Sequence, residues 1–146
     1  MVALSLACDP PSGPADAWDP AARALLAQVE QQDYRSWTEL AVEGDSPHGA
    51  WSIIFTDATV DAAQMGEMGE MAEMAESWPQ GSTLVCEGRD QAESDTISLQ
   101  IMQRDRGGWL WAQYDAAGEP LVYGTDSACG HCHAAGVDFV RSLTLP

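Results

Sequence analysis

Lysine is missing from this 146-residue chain, and its six arginines face 23 acidic residues, for a formal net charge of -17. A surface of that sign repels phosphate backbones and anionic headgroups, which argues against nucleic acid as a partner. A basic redox protein would be steered towards it at a rate that falls with added salt; solubilising charge alone is the plainer reading. A basic start is lacking as well. Met1-Val2-Ala3-Leu4-Ser5-Leu6-Ala7-Cys8 is too short and too neutral for a complete secretory signal. It resembles the end of a bacterial lipoprotein signal, with small residues before a cysteine that becomes lipidated. Cys8 is therefore a candidate lipid anchor at the true start of the mature chain. The alternative is an ordinary terminus with Cys8 free or disulfide-bonded to Cys86.

Histidine and cysteine are scarce, three and four residues, yet most of them cluster in Cys129-Gly130-His131-Cys132-His133. C-x-x-C-H is the attachment pattern of haem c, in which two sulfurs form thioethers with the porphyrin vinyls and the next histidine binds the iron. Cys129 and Cys132 are then the thioether residues and His133 the proximal ligand, with His131 pointing away. One haem c per chain is expected. Attachment takes place outside the bacterial cytoplasm, so a periplasmic or membrane-anchored location follows on chemical grounds. Two other readings use the same residues. A dithiol redox motif would open a fold still to come, whereas only fourteen residues follow Cys132. A zinc site has Cys129, Cys132 and one of His131 or His133, but no second C-x-x-C or H-x-x-H pair completes it unless Cys86 or His48 comes from afar.

The length suits one domain. Residues 1–18 read as a truncated signal followed by a Pro-rich tether, and residues 19–146 as the folded unit. Asp19-Pro20 looks like N-cap and first helical residue, with Ala22, Leu25, Leu26 and Val29 on one face and an end near Tyr34. Ser46-Pro47-His48-Gly49 is a loop, and residues 51–55 a short strand. Residues 57–77 read as a helix. Its Met65, Met68, Met71 and Met74, three apart, smear round the helix and make a slipped low-complexity segment, with Cu(I) binding as the alternative. Residues 82–87, 96–104 and 109–114 are strand-like, the last two joined by an Asp105-Arg106-Gly107-Gly108 hairpin. The fold class is α+β, an antiparallel sheet packed with helices. Period-two patterning and the Gly-Gly hairpin argue against a four-helix bundle.

In their order, Tyr34-Arg35-Ser36-Trp37, the loop before the first strand, Trp78-Pro79-Gln80-Gly81-Ser82 leading to Val85-Cys86-Glu87, the strand at 109–114 and the C-x-x-C-H run resemble the cytochrome P-460 family, which includes the β-type cytochromes c prime. The likeness covers roughly residues 19–142. It implies a sheet packed with helices, usually dimeric, holding one haem c with an open distal site. Members either oxidise hydroxylamine, with a lysine joined to the porphyrin, or lack that bond and bind nitric oxide in an apolar aromatic pocket. A chain without lysine cannot form the cross-link. Where the family's Pro-x-Gly strand commonly has lysine after valine, this chain has Cys86, either a haem-facing thiol or a buried inert one.

The expected function is that of an exported cytochrome that binds a diatomic such as nitric oxide, transfers electrons, or does both. The alternative is a haem oxidoreductase acting on hydroxylamine, another small nitrogen species or peroxide, for which Glu87 and His48 are the available acid-base groups. Distal pocket candidates are Phe55, Trp51, Cys86 and His48, with Trp109 and Trp111 as further lining. An open or water-bound sixth position is expected, with His48 ligation as the alternative.

Overall fold

The computed structural model describes residues 15–66, 77–125, 128–136, 138, 140, 141 and 143. Helix α1 (Ala15–Gln31) and a 3-10 turn (Tyr34–Ser36) precede strands β1 (Thr38–Ser46) and β2 (Gly49–Thr56); helix α2 (Ala58–Gln64) follows. Then come β3 (Thr83–Arg89), β4 (Ser98–Asp105), β5 (Gly108–Asp115), β6 (Pro120–Gly124) and helix α3 (Ala128–His133). The strands form one antiparallel sheet in chain order, so the protein is α+β.

Helix α1 begins at Ala15, inside the segment expected to be a tether, and carries Pro20 within it. The expected start at Asp19-Pro20 is thus corrected. The proline gives up one backbone bond, and burial of Ala22, Leu25 and Val29, each at most 5% exposed, outweighs that loss. The helix ends at Gln31, and Asp33, at φ 51°, turns the chain into the 3-10 segment. Helix α2 is capped by Asp57, whose carboxylate accepts from Val60 N at 2.9 Å and Thr83 N at 3.1 Å. It ends at Gln64, with Gly66 at φ 68°, where a longer helix was expected; residues 67–76, holding Met68, Met71 and Met74, lie outside the described residues. Among the described residues no helix is long and apolar enough to cross a membrane.

Pairing in the sheet sets up two faces, because side chains alternate along each strand. One row runs Leu40, Ile54, Cys86, Gln100, Gln113, Val122 across all six strands. A neighbouring row on the other face runs Ile53, Glu87, Leu99, Tyr114. The second face is covered by α1: Ala22, Leu25, Val29 and Tyr34 cluster with Phe55, Val85, Leu99, Ile101 and Tyr114. Tyr114 is fully buried, and its hydroxyl donates to Ala22 O at 2.7 Å, tying helix to sheet. The first face is covered by α2, Trp78 and α3, with Ile54, Leu84, Met102, Trp111 and Val122 in its core.

Candidate functional site

Helix α3 is the C-x-x-C-H run itself. Asp138, just beyond it, holds the segment to the first face. Its carbonyl accepts from Trp109 Nε1 at 2.8 Å, and its carboxylate accepts from Trp78 N at 2.9 Å and lies 3.5 Å from Arg104 Nε. Gly136 N donates to His133 O at 2.9 Å, and a Cβ there would lie 2.3 Å from Val140 O, so glycine is required where the chain turns back. The His133 ring meets Trp111 edge-on, with centroids 4.9 Å apart.

Between α3 and the sheet lies a cavity of about 280 Å³ whose lining includes His48, Cys86, Gln100, Met102, Trp111 and His133. Cys129, Cys132 and Arg141 also border it. Of the expected distal candidates, the structure brings His48 and Cys86 to the motif. Phe55 and Trp51 are corrected: they alternate with Ile54 and Ser52, so Phe55 packs edge-on to Tyr34 at 5.4 Å on the α1 face and Trp51 shares that parity. Of the two tryptophans of β5, Trp111 lines the cavity, while Trp109 sits in the neighbouring core. Glu87 is not available as an acid-base group there. It is fully buried on the far face, accepting from Tyr34 Oη at 2.8 Å, Arg35 Nε at 2.7 Å, Arg89 Nη2 at 2.7 Å and Thr96 Oγ1 at 3.0 Å. Burial pushes its carboxyl up, but the bonds from Arg89, Tyr34 and Thr96 and the Arg35 charge together hold it below the ordinary range.

His48 sits in the two-residue connection from β1 to β2, held by its backbone. Its N–H donates to Ser46 Oγ at 3.2 Å and its carbonyl accepts from Ser98 Oγ at 2.8 Å. That carbonyl rests on Gly88, where a Cβ would lie only 1.7 Å from it. The imidazole lies 6.3 Å from that of His133, centroid to centroid. Burial, then the His133 charge, lowers its pKa to about 4, so His48 is neutral at pH 7 with a lone pair to offer. Burial likewise pushes the Cys86 thiol up to about 11, against a hydrogen bond with Ser52.

Gln100, 9% exposed, was not singled out in the sequence. Among the described residues neither end of its amide has a partner, nor does His48 Nδ1. Such buried polar atoms cost about 1–3 kcal/mol each unless something bonds to them. A polar occupant of the cavity, water included, would bond to them. Only the register that sets Gln100 beside Cys86 could have revealed it.

Cys86 is a free thiol, which excludes the alternative Cys8–Cys86 disulfide. Cys132 is free and exposed, with its sulfur 3.5 Å from Arg141 Nη1. Cys129 is disulfide-bonded, and Cys8, the lipid-anchor candidate, lies outside the described residues. His131 is exposed. Among the described residues no group of three or more His, Cys, Asp or Glu is placed to hold a metal ion, so the zinc alternative finds no tetrahedral set there. A haem iron, held by a porphyrin and one or two imidazoles, needs none. Compared with models of known protein families and with curated proteins, the chain matches none.

Proposed function

We propose that the chain is an exported mono-haem c-type cytochrome, similar to the cytochrome P-460 family, that serves a small neutral diatomic ligand or an electron. The observation that carries this reading is the seating of Cys129, Cys132 and His133 on the wall of one cavity whose interior leaves Gln100 and His48 Nδ1 without partners. Those donors fit the group. Cys129 and Cys132, as free thiols, would hold the porphyrin by adding across its vinyl groups with no atom lost, and His133 would ligate the iron. Bound there, haem would supply one-electron chemistry and an iron that can take up a diatomic.

The protein supplies the surroundings. Ile54, Leu84, Met102 and Trp111 give a mostly apolar wall, which admits a neutral diatomic more readily than an anion. The Gln100 amide would donate to a polar atom inside. Of the two expected acid-base candidates, Glu87 lies on the opposite face and His48 borders the cavity, so an enzyme acting on peroxide would rest on His48. The alternative of a haem oxidoreductase acting on a small nitrogen species remains a second proposal, without a lysine cross-link because the chain has no lysine. Lipid anchoring through Cys8, homodimerisation and a basic redox partner belong to the same proposal.

Expression in a host that matures c-type cytochromes, followed by visible spectra of both oxidation states with and without nitric oxide, tests it. Covalent haem whose ferrous spectrum changes with nitric oxide supports the reading; a colourless protein, or a haem removed by acid and organic solvent, contradicts it.

A further inference from the structure

The cavities, charged clusters, edge strands and buried titratable groups leave one arrangement beyond the haem reading and resting on it: the pairing of His48 with His133. The two rings are tilted at 46° with centroids 6.3 Å apart, beyond face-to-face stacking. Two imidazoles ligating one metal ion from opposite sides, at the roughly 2.0–2.1 Å of a metal–imidazole bond, would have centroids about 6.4 Å apart. The separation is thus that of a pair with room for one ion.

A second, independent observation is that His48 is fixed in place by its backbone rather than by its ring. Ser46 Oγ accepts from its N–H, Ser98 Oγ donates to its carbonyl, and Gly88 leaves the space on which that carbonyl rests. Ligating histidines commonly have the other ring nitrogen oriented by a hydrogen bond. Here Nδ1 is buried without one, so the backbone does the positioning. Cys86 and Met102 border the same cavity and are the competing sulfur ligands. Cys86 lies on β3 with its thiol bonded to Ser52, and Met102 lies opposite Leu84 in the sheet.

We propose that His48 is the sixth ligand of the haem iron, so that the resting protein is six-coordinate and a diatomic must displace His48 to bind. This reverses the open distal site that the family resemblance implies. The β1–β2 connection then becomes the gate: its rigidity sets how often the position opens, and apparent affinity for the diatomic is reduced by the fraction of time it is closed.

The test uses the haem-loaded full chain. The expected result is a low-spin ferric and ferrous spectrum with EPR and near-infrared signatures of two nitrogen ligands. His48→Ala should convert it to high-spin, return to low-spin with added imidazole, and bind carbon monoxide at least about tenfold faster. Cys86→Ala and Met102→Leu should leave the spin state unchanged. Gly88→Ala, which pushes the His48 carbonyl without touching its ring, should give a mixed-spin form. A high-spin unaltered protein, thiolate or thioether signatures, or a low-spin His48→Ala protein would each overturn the inference while leaving haem binding intact. A protein without haem would overturn both readings. If His48→Ala does not fold, the EPR and near-infrared spectra of the unaltered protein decide by themselves.

Discussion

The two faces of the sheet treat buried polarity in opposite ways. On the α1 face the buried carboxylate of Glu87 has four donors converging on it from Tyr34, Arg35, Arg89 and Thr96. The unpartnered atoms among those elements are single N–H groups, Arg89 Nε and Trp18 Nε1. On the cavity face a whole amide, Gln100, and one side of an imidazole, His48, are left without partners around a space of about 280 Å³. Folding alone explains the first arrangement, since a buried charge must be paired to be tolerated. It does not explain the second, which raises the free energy of the folded chain unless an occupant makes the missing bonds. The comparison separates a polar cluster that the fold itself satisfies from polar atoms left to whatever occupies the cavity.

The largest effect should come from breaking the satisfied face. Glu87→Gln leaves Arg89, 21% exposed, facing a neutral amide and should cost about 2–4 kcal/mol in denaturant unfolding. Because the Glu87 carboxyl is held below its ordinary value of 4.5, the unfolded chain takes the proton first as pH falls. Its stabilisation is thus complete above that value and is lost as pH drops through the folded one. The gap between wild type and Glu87→Gln should accordingly close on acidification; a gap that widens would mean the carboxyl is not held charged.

On the other face the same kind of change should go the other way. Gln100→Leu removes an unpartnered amide, so in the haem-free protein it should be neutral or stabilising by about 1 kcal/mol in urea melts. A loss comparable to that of Glu87→Gln would show that Gln100 has structural partners and would remove the distinction between the faces. The smallest effect is chemical. In the haem-free protein, alkylation at pH 8 followed by peptide mass spectrometry should label exposed Cys132 at least about tenfold faster than Cys86, whose thiol is raised to about 11. Equal rates would place Cys86 at the surface rather than in the cavity.

Much of this frame was legible because local chemistry decided it. Gly108 pairs with Asp105 across a two-residue turn of Arg106 and Gly107, and β4 and β5 follow from it. Strand β1 escaped notice because Glu39, Glu43, Gly44 and Asp45 interrupt its apolar residues, as suits an edge strand; β6 escaped because it is short and opens on Pro120. The three residues that covalent spacing singled out, Cys129, Cys132 and His133, border one cavity, and of the distal candidates His48 and Cys86 border it too. Residues 51–55 are apolar on both faces, so period two could not say that Ile54, rather than Phe55 and Trp51, turns to the motif. Gln100 looked like the solvent side of an alternating strand, whereas the cavity face is buried too.

The central claim is that the cavity face is built around a covalent haem, and the intact mass of the protein matured in a c-type host tests it most directly. The account predicts one haem added per chain, retained under denaturing conditions, reduced to a single attachment in Cys129→Ala or Cys132→Ala and lost when both are replaced. The mass of the bare chain, with Cys129 still in a disulfide, would contradict it.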